Sequence, residues 1–213
     1  MNSVAIVTAK RFTSAKQRLA GSIDENLRLR LVEAMLGDVL EAVSRARTVD
    51  RILVVTGEGI AADLAGTFGA EVIHDPDDLS HSGAALMGIE RAVELGADAV
   101  VLLPGDCPLL DPKELNRLLT GLPDPFVTVV PDRHGTGTNA LVLCPPRVMK
   151  PAFGEGSLDR HLGMARDAGV PHTTEDLPTL ALDLDTPADF VALTARMDMD
   201  RGSAPRTAKV LGI

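Results

Sequence analysis

The sequence predicts a single α/β domain: an open, mostly parallel sheet with helices on both faces. Three observations carry this. Short β-branched apolar runs alternate with amphipathic helical patterns from the first residues onward. One run, "DAVVLLPGD" (98–106), is apolar almost throughout, as the buried centre of a parallel sheet requires. A chain of 213 residues with 45% hydrophobic content is long enough for one sizeable core and barely for two.

In chain order, "SVAIVTA" (3–9) reads as the first strand. The segment 24–46 is a long helix opened by an acidic cap, with Leu27, Leu31, Met35, Val39 and Val43 four residues apart. A strand at 51–57, a helix over 58–68, a strand at 70–75, a helix over 83–96 and the central strand at 98–106 follow. Beyond them come a helix at 111–122, strands at 126–132 and 139–145, and a helix at 157–169. Thr179–Leu184 reads as extended and leads into a last helix from Thr186, where Thr at the N-cap and Pro at the first helical position mark the boundary. The domain is therefore expected to span 1–197. The tail 198–213 loses periodicity and is expected to be mobile up to Val210–Ile213, which would dock.

Composition excludes several functions. A formal net charge of −9, with no Trp or Tyr and only 5 Phe, gives neither the basic stripe nor the stacking platforms of a nucleic-acid binder. No run approaches the roughly 18 apolar residues of a membrane span. The N-terminus lacks the basic and apolar regions of a signal peptide, so a cytoplasmic location is expected. Cys107 and Cys144, the two cysteines, read as buried thiols. No Ser/His/Asp or Cys/His set is visible, which speaks against covalent hydrolysis.

Four stretches are candidates for chemistry, and each has a plainer counterpart. Asp106 follows the central strand at the sheet's carboxyl edge, where open α/β sheets meet ligands, although a turn aspartate is also common there. Asp183 and Asp185 leave one face of an extended segment, which on its own would equally suit a solvated edge. Three oxygen donors without His or Cys suit a hard cation, Mg²⁺ rather than Zn²⁺, and Mg²⁺ usually comes with substrate phosphates. The loop 8–21 offers Lys10, Arg11, Lys16 and Arg18 where a phosphate would lie, but fits neither a P-loop nor a dinucleotide fingerprint. "RHGTGTNALVL" (133–143) and Gly154, Gly156 and Ser157 before a helix offer close backbone approach and free N–H groups. An ordinary turn and ordinary helix capping would account for the same residues.

Taken as an ordered set, "VTAKRFTSAKQRLAG", "LLPGDCPLL", "DRHGTGTNAL", "FGEGSLDRH" and "LDLDTPADF" resemble the guanylyltransferase family of deazaflavin coenzyme F420 biosynthesis, over residues 4 to 195. The resemblance implies a nucleotide-diphosphate-transferase fold with one antiparallel excursion. It implies a Mg²⁺-dependent reaction joining GTP to phosphoenolpyruvate or 2-phospho-L-lactate, with loss of pyrophosphate. On this resemblance Asp106, Asp183 and Asp185 are expected to hold Mg²⁺. Thr138, Gly154 and Ser157 would surround the acid substrate. Lys10 and Lys16 would serve the nucleotide phosphates and catalysis. Ser82 and Gly83 stand where the family carries Leu-Asn, in "HSGAAL" (81–86), and are the expected nucleotide contacts there. Partners would be the two substrates, a second copy in a homodimer, and a downstream transferase receiving the product. An Ala-, Arg-, Asp- and Gly-rich composition, typical of GC-rich genomes, favours phosphoenolpyruvate as the acid. The alternatives are a nucleotidyltransferase acting on another acceptor such as a molybdopterin, and a non-catalytic nucleotide-binding regulator. The missing double glycine after strand one speaks against the first, and the three retained carboxylates against the second.

Overall fold

The chain alternates between strand and helix as its periodicity requires. The computed structural model describes residues 1–12, 16, 23–200 and 202–213; Arg18 of the basic loop lies outside them. The elements in order are β1 (Ser3–Ala9), α1 (Glu25–Arg45), β2 (Arg51–Thr56), α2 (Gly59–Thr67), β3 (Glu71–His74), α3 (His81–Glu94) and β4 (Ala99–Pro104). They are followed by α4 (Pro112–Leu119), β5 (Phe126–Pro131), β6 (Thr138–Cys144), α5 (Ser157–Asp167), β7 (His172–Thr174), α6 (Pro187–Met199) and α7 (Pro205–Leu211).

The described residues form a seven-stranded sheet in the order β3-β2-β1-β4-β6-β5-β7. All neighbours are parallel except that β6 runs against both β4 and β5. Strand alternation sorts the core onto two faces. Ala5, Val7, Val101 and Leu103 point toward α1, α4 and α6. Val4, Ile6, Val100 and Leu102 point toward α3 and α5. Both clusters are aliphatic, and each fully buried Leu, Ile or Val contributes about 1.5–3 kcal/mol. No helix among the described residues is long and apolar enough to cross a membrane. Cys107 and Cys144 are buried free thiols.

Two expectations are corrected. Thr179–Leu184 is not a strand. Its backbone turns at Leu177–Ala181, where the Leu180 and Ala181 amides both donate to the Leu177 carbonyl at 2.9 Å. From Leu182 to Asp185 it carries no regular secondary structure and lies outside the sheet. The alternation that suggested a strand is real, because Leu180, Leu182 and Leu184 are buried while Asp183 and Asp185 are half-buried and line the cleft. Core burial alone produces that pattern without ladder pairing.

The second correction concerns the tail. Pro205–Leu211 is helical and lies against α1, rather than remaining mobile up to Val210. Asp38, buried on α1, accepts hydrogen bonds from the Arg206 amide at 3.0 Å and the Thr207 amide at 2.8 Å. A side chain from one helix thus caps the start of another, satisfying amides that a helix leaves unpaired at its first turn. Replacing Asp38 with Ala should cost about 1–2 kcal/mol in urea unfolding. An unchanged unfolding midpoint would show that α7 docks without this cap.

Candidate active site

A sheet buried on both faces leaves its chemistry to its edge. Because β1, β4 and β5 are parallel, their carboxyl ends deliver Lys10, Asp106 and Asp132 to one side. Because β6 is reversed, it is the start of that strand, Thr138 and Asn139, that arrives there. The loop before α5 brings Gly154–Ser157, and the segment before α6 brings Asp183 and Asp185. All of these, with Lys16, line one cleft of about 790 Å³, and Ser82 and Gly83 lie outside its lining.

Acid is concentrated on one wall. The Lys16 ammonium pairs with Asp106 and, at 2.6 Å, with Asp185 Oδ1. Its side chain is only 7% exposed. Burial alone would weaken the charge, but the two carboxylates outweigh it and raise the Lys16 pKa. Asp183 takes the remaining strain: burial, followed by the charge of Asp106, pushes its carboxyl up to about 6. Asp106 Oδ1 is buried without a hydrogen-bond partner among the described residues. Asp106, Asp183 and Asp185 therefore share a wall, yet among the described residues no three His, Cys, Asp or Glu side chains converge as a finished ligand set. Lys16 supplies the counter-charge. In donor chemistry the three aspartates still fit a hard cation, since they offer carboxylate oxygens, one of them unpartnered.

Several residues that position this wall were not foreseen. Asn139 donates to the Leu180 carbonyl at 2.8 Å and to Asp183 Oδ1 at 3.2 Å. One side chain from the sheet thus takes the place of the missing strand pairing and fixes Asp183. Asp189, in the first turn of α6, accepts from the Asp185 and Thr186 amides at 3.1 and 2.6 Å and pairs with Arg133 at 2.6 Å. These hydrogen bonds and the Arg133 charge overcome the effect of burial and lower the Asp189 pKa. The signal was available for Asn139, a lone amide in an otherwise apolar strand. It was available for Asp189 too, as the N3 acid of a capping box.

The opposite wall is made of backbone. Gly154 and Gly156 have φ of +113° and +67°, which only glycine adopts without strain. They turn the chain so that α5 begins at the cleft with Ser157. The Leu158 amide donates to the Thr136 carbonyl at 3.2 Å and holds this turn to the 133–138 loop. Thr138, Gly154 and Ser157 therefore meet as expected from the sequence. Ser82 and Gly83 are different. The Ser82 hydroxyl accepts from the Phe153 amide at 2.9 Å, and the Gly83 amide is used by the Ser80 N-cap. From this helix, His81 and Ala84 line the cleft instead. His81 stacks on Phe153 with centroids 4.1 Å apart, and burial lowers its pKa to about 4.

Known proteins resemble this chain over nearly its whole length. Residues 3–200 match the family described as guanylyl transferase CofC like. A phosphoenolpyruvate guanylyltransferase from Conexibacter woesei is 44% identical, across 99% of this chain and 96% of its own. One from Sphaerobacter thermophilus is 35% identical, across 95% of this chain and 98% of its own. Among solved structures, a nucleotidyl transferase from Methanothermobacter thermautotroptrophicus has a TM-score of 0.70 at 20% identity, covering 93% of this chain and 98% of that one. At that identity the fold is what is shared, and it is the nucleotidyltransferase fold expected from the sequence. With both cleft walls inside the matched span, the chain belongs to the CofC-like family of guanylyl transferases.

Proposed function

We propose that this protein is a phosphoenolpyruvate guanylyltransferase of deazaflavin coenzyme biosynthesis, acting in the cytoplasm on GTP with Mg²⁺. The observation that carries the reading is the meeting, in one cleft, of a glycine-built amide turn, two lysines and three carboxylates. The names of its relatives support the choice of acid and nucleotide. The cleft volume of about 790 Å³ lies within the range of small-molecule sites.

In the proposed reaction an oxygen of the phosphoenolpyruvate phosphate attacks the α-phosphorus of GTP. A new P–O–P bond forms, the bond from the α-phosphorus to the oxygen bridging it to the β-phosphate breaks, and pyrophosphate leaves with that electron pair. No enzyme nucleophile is needed, so the protein contributes positioning and charge. Gly154–Ser157 and Thr138 would hold the acid through N–H and O–H donors. Lys10, exposed at the end of β1, and Lys16 would meet the nucleotide phosphates. Asp106, Asp183 and Asp185 would hold Mg²⁺, which supplies neutralisation of phosphate charge when bound. The product is a reactive mixed anhydride suited to immediate use by a downstream transferase.

Pyrophosphate release, followed with each nucleoside triphosphate and with phosphoenolpyruvate or 2-phospholactate, tests this directly. Release is expected with GTP and phosphoenolpyruvate and should stop when EDTA removes the divalent metal. Silence with GTP and both acids would reject the reading, and full activity in EDTA would reject the metal. Asp106→Asn and Asp183→Asn should each lower kcat at least about a hundredfold, a loss typical of removing one preorganised charge. Both should keep a wild-type circular dichroism spectrum. Near-normal rates in either would remove that residue from the catalytic wall.

A further inference from the structure

Behind Thr138 lies a histidine that the proposed mechanism does not use. His161 is on the face of α5 that also buries Ser157 and Ala165, and its exposure is 0%. Both ring nitrogens are engaged. Nε2 lies 2.9 Å from the Ala152 backbone nitrogen, and Nδ1 lies 3.0 Å from Thr138 Oγ1.

The first contact has only one possible polarity. A backbone N–H donates and never accepts, so Nε2 must present its lone pair. A neutral imidazole with a bare Nε2 carries its proton on Nδ1. Burial, followed by the charge of Arg160, lowers the His161 pKa to about 4, so the neutral ring is the form present at pH 7. The second contact then also has a direction: Nδ1–H donates and Thr138 Oγ1 accepts. The hydroxyl's own proton has no acceptor among the described residues, and Thr138 lines the cleft beside Gly154, Ser157 and Asp183.

We propose that His161 is a positioning residue that fixes the Thr138 hydroxyl as a hydrogen-bond donor into the cleft, selecting for an acceptor oxygen of a phosphate or carboxylate. The identity of that ligand rests on the function proposed above, while the polarity of the pair rests on geometry alone. The same ring steadies the opposite wall. It holds the Ala152 amide, and its edge meets Phe153, with centroids 5.2 Å apart, next to the His81 stack. Few side chains offer an acceptor and a donor on opposite sides of one rigid group. Glutamine offers both on a flexible stem, and phenylalanine offers neither.

Nitrogen-15 NMR of the wild-type protein at neutral pH reads the tautomer without any substrate. His161 is expected as Nδ1–H; an Nε2–H or doubly protonated ring would overturn the proposal even if the enzyme is active. The kinetic arm uses pyrophosphate release. His161→Phe should raise KM for phosphoenolpyruvate about tenfold or more, the effect of losing one charge-assisted hydrogen bond, with KM for GTP within about twofold. His161→Gln should recover most of that loss, whereas a purely structural role would leave Gln and Phe alike. Thr138→Val should match His161→Phe, and the double variant should be no worse than Thr138→Val alone. Losses that multiply, or a Gln variant as poor as Phe, would reject the coupling. Should His161→Phe fail to fold, the tautomer and the Gln and Val variants still decide. A wild-type protein that releases no pyrophosphate from GTP would instead reject the proposed function, leaving the tautomer result standing.

Discussion

Three carboxylates on one wall repel one another, and much of the site's architecture answers that repulsion. Lys16 neutralises two of them from a buried position, and Asn139 donates to the third. Asp189 keeps Asp185 in place by taking up the backbone amides around it. The residual tension shows in Asp183, whose pKa rises because burial strips it of water and, after that, because Asp106 is charged. The Lys16 ammonium is what makes this crowding of acid tolerable.

The sheet makes this concentration of charge tolerable by keeping it at one end. Aliphatic side chains dominate both faces of the sheet, and the charged groups of the site stay at its edge. Reversal of β6 then brings a threonine and an asparagine from a strand start among the strand ends of its neighbours. A wholly parallel sheet would have put a strand's last residues there and carried the Thr138–Asn139 pair to the far side. The single antiparallel strand is thus what joins the acidic wall to the glycine-built one.

Much of this was legible in the chain. Period-two and period-four apolar patterns located the strands and most helices, and the carboxylates, lysines and glycines stood out as loop residues near strand ends. The alternation at 179–185 misled because it reports which side chains are buried, and a segment pinned by Asn139 and turn hydrogen bonds buries the same leucines as a strand would. The tail misled for a different reason: a helix as short as Pro205–Leu211 has little intrinsic stability or pattern. Its order comes from Asp38, 169 residues away from Thr207 in sequence. His161 was visible as a residue but not as a partner of Thr138, since nothing local says that α5 lies over the start of β6. The Phe153 amide that donates to Ser82 was likewise out of sight, because it lies 71 residues away in sequence.

The closure of α7 over α1 has a consequence for the way the chain is made. α7 leaves the ribosome long after α1, because Thr207 and Asp38 lie 169 residues apart. Arg206 crosses Gly37 so closely that a Cβ there would sit 2.6 Å from its side chain, and Arg206 reaches the ring of Phe68 beyond. That surface stays uncovered until α7 has been made, and all seven strands precede α7 in the chain. Docking of α7 is therefore a long-range step that follows pairing of the sheet, and it acts as a latch on α1.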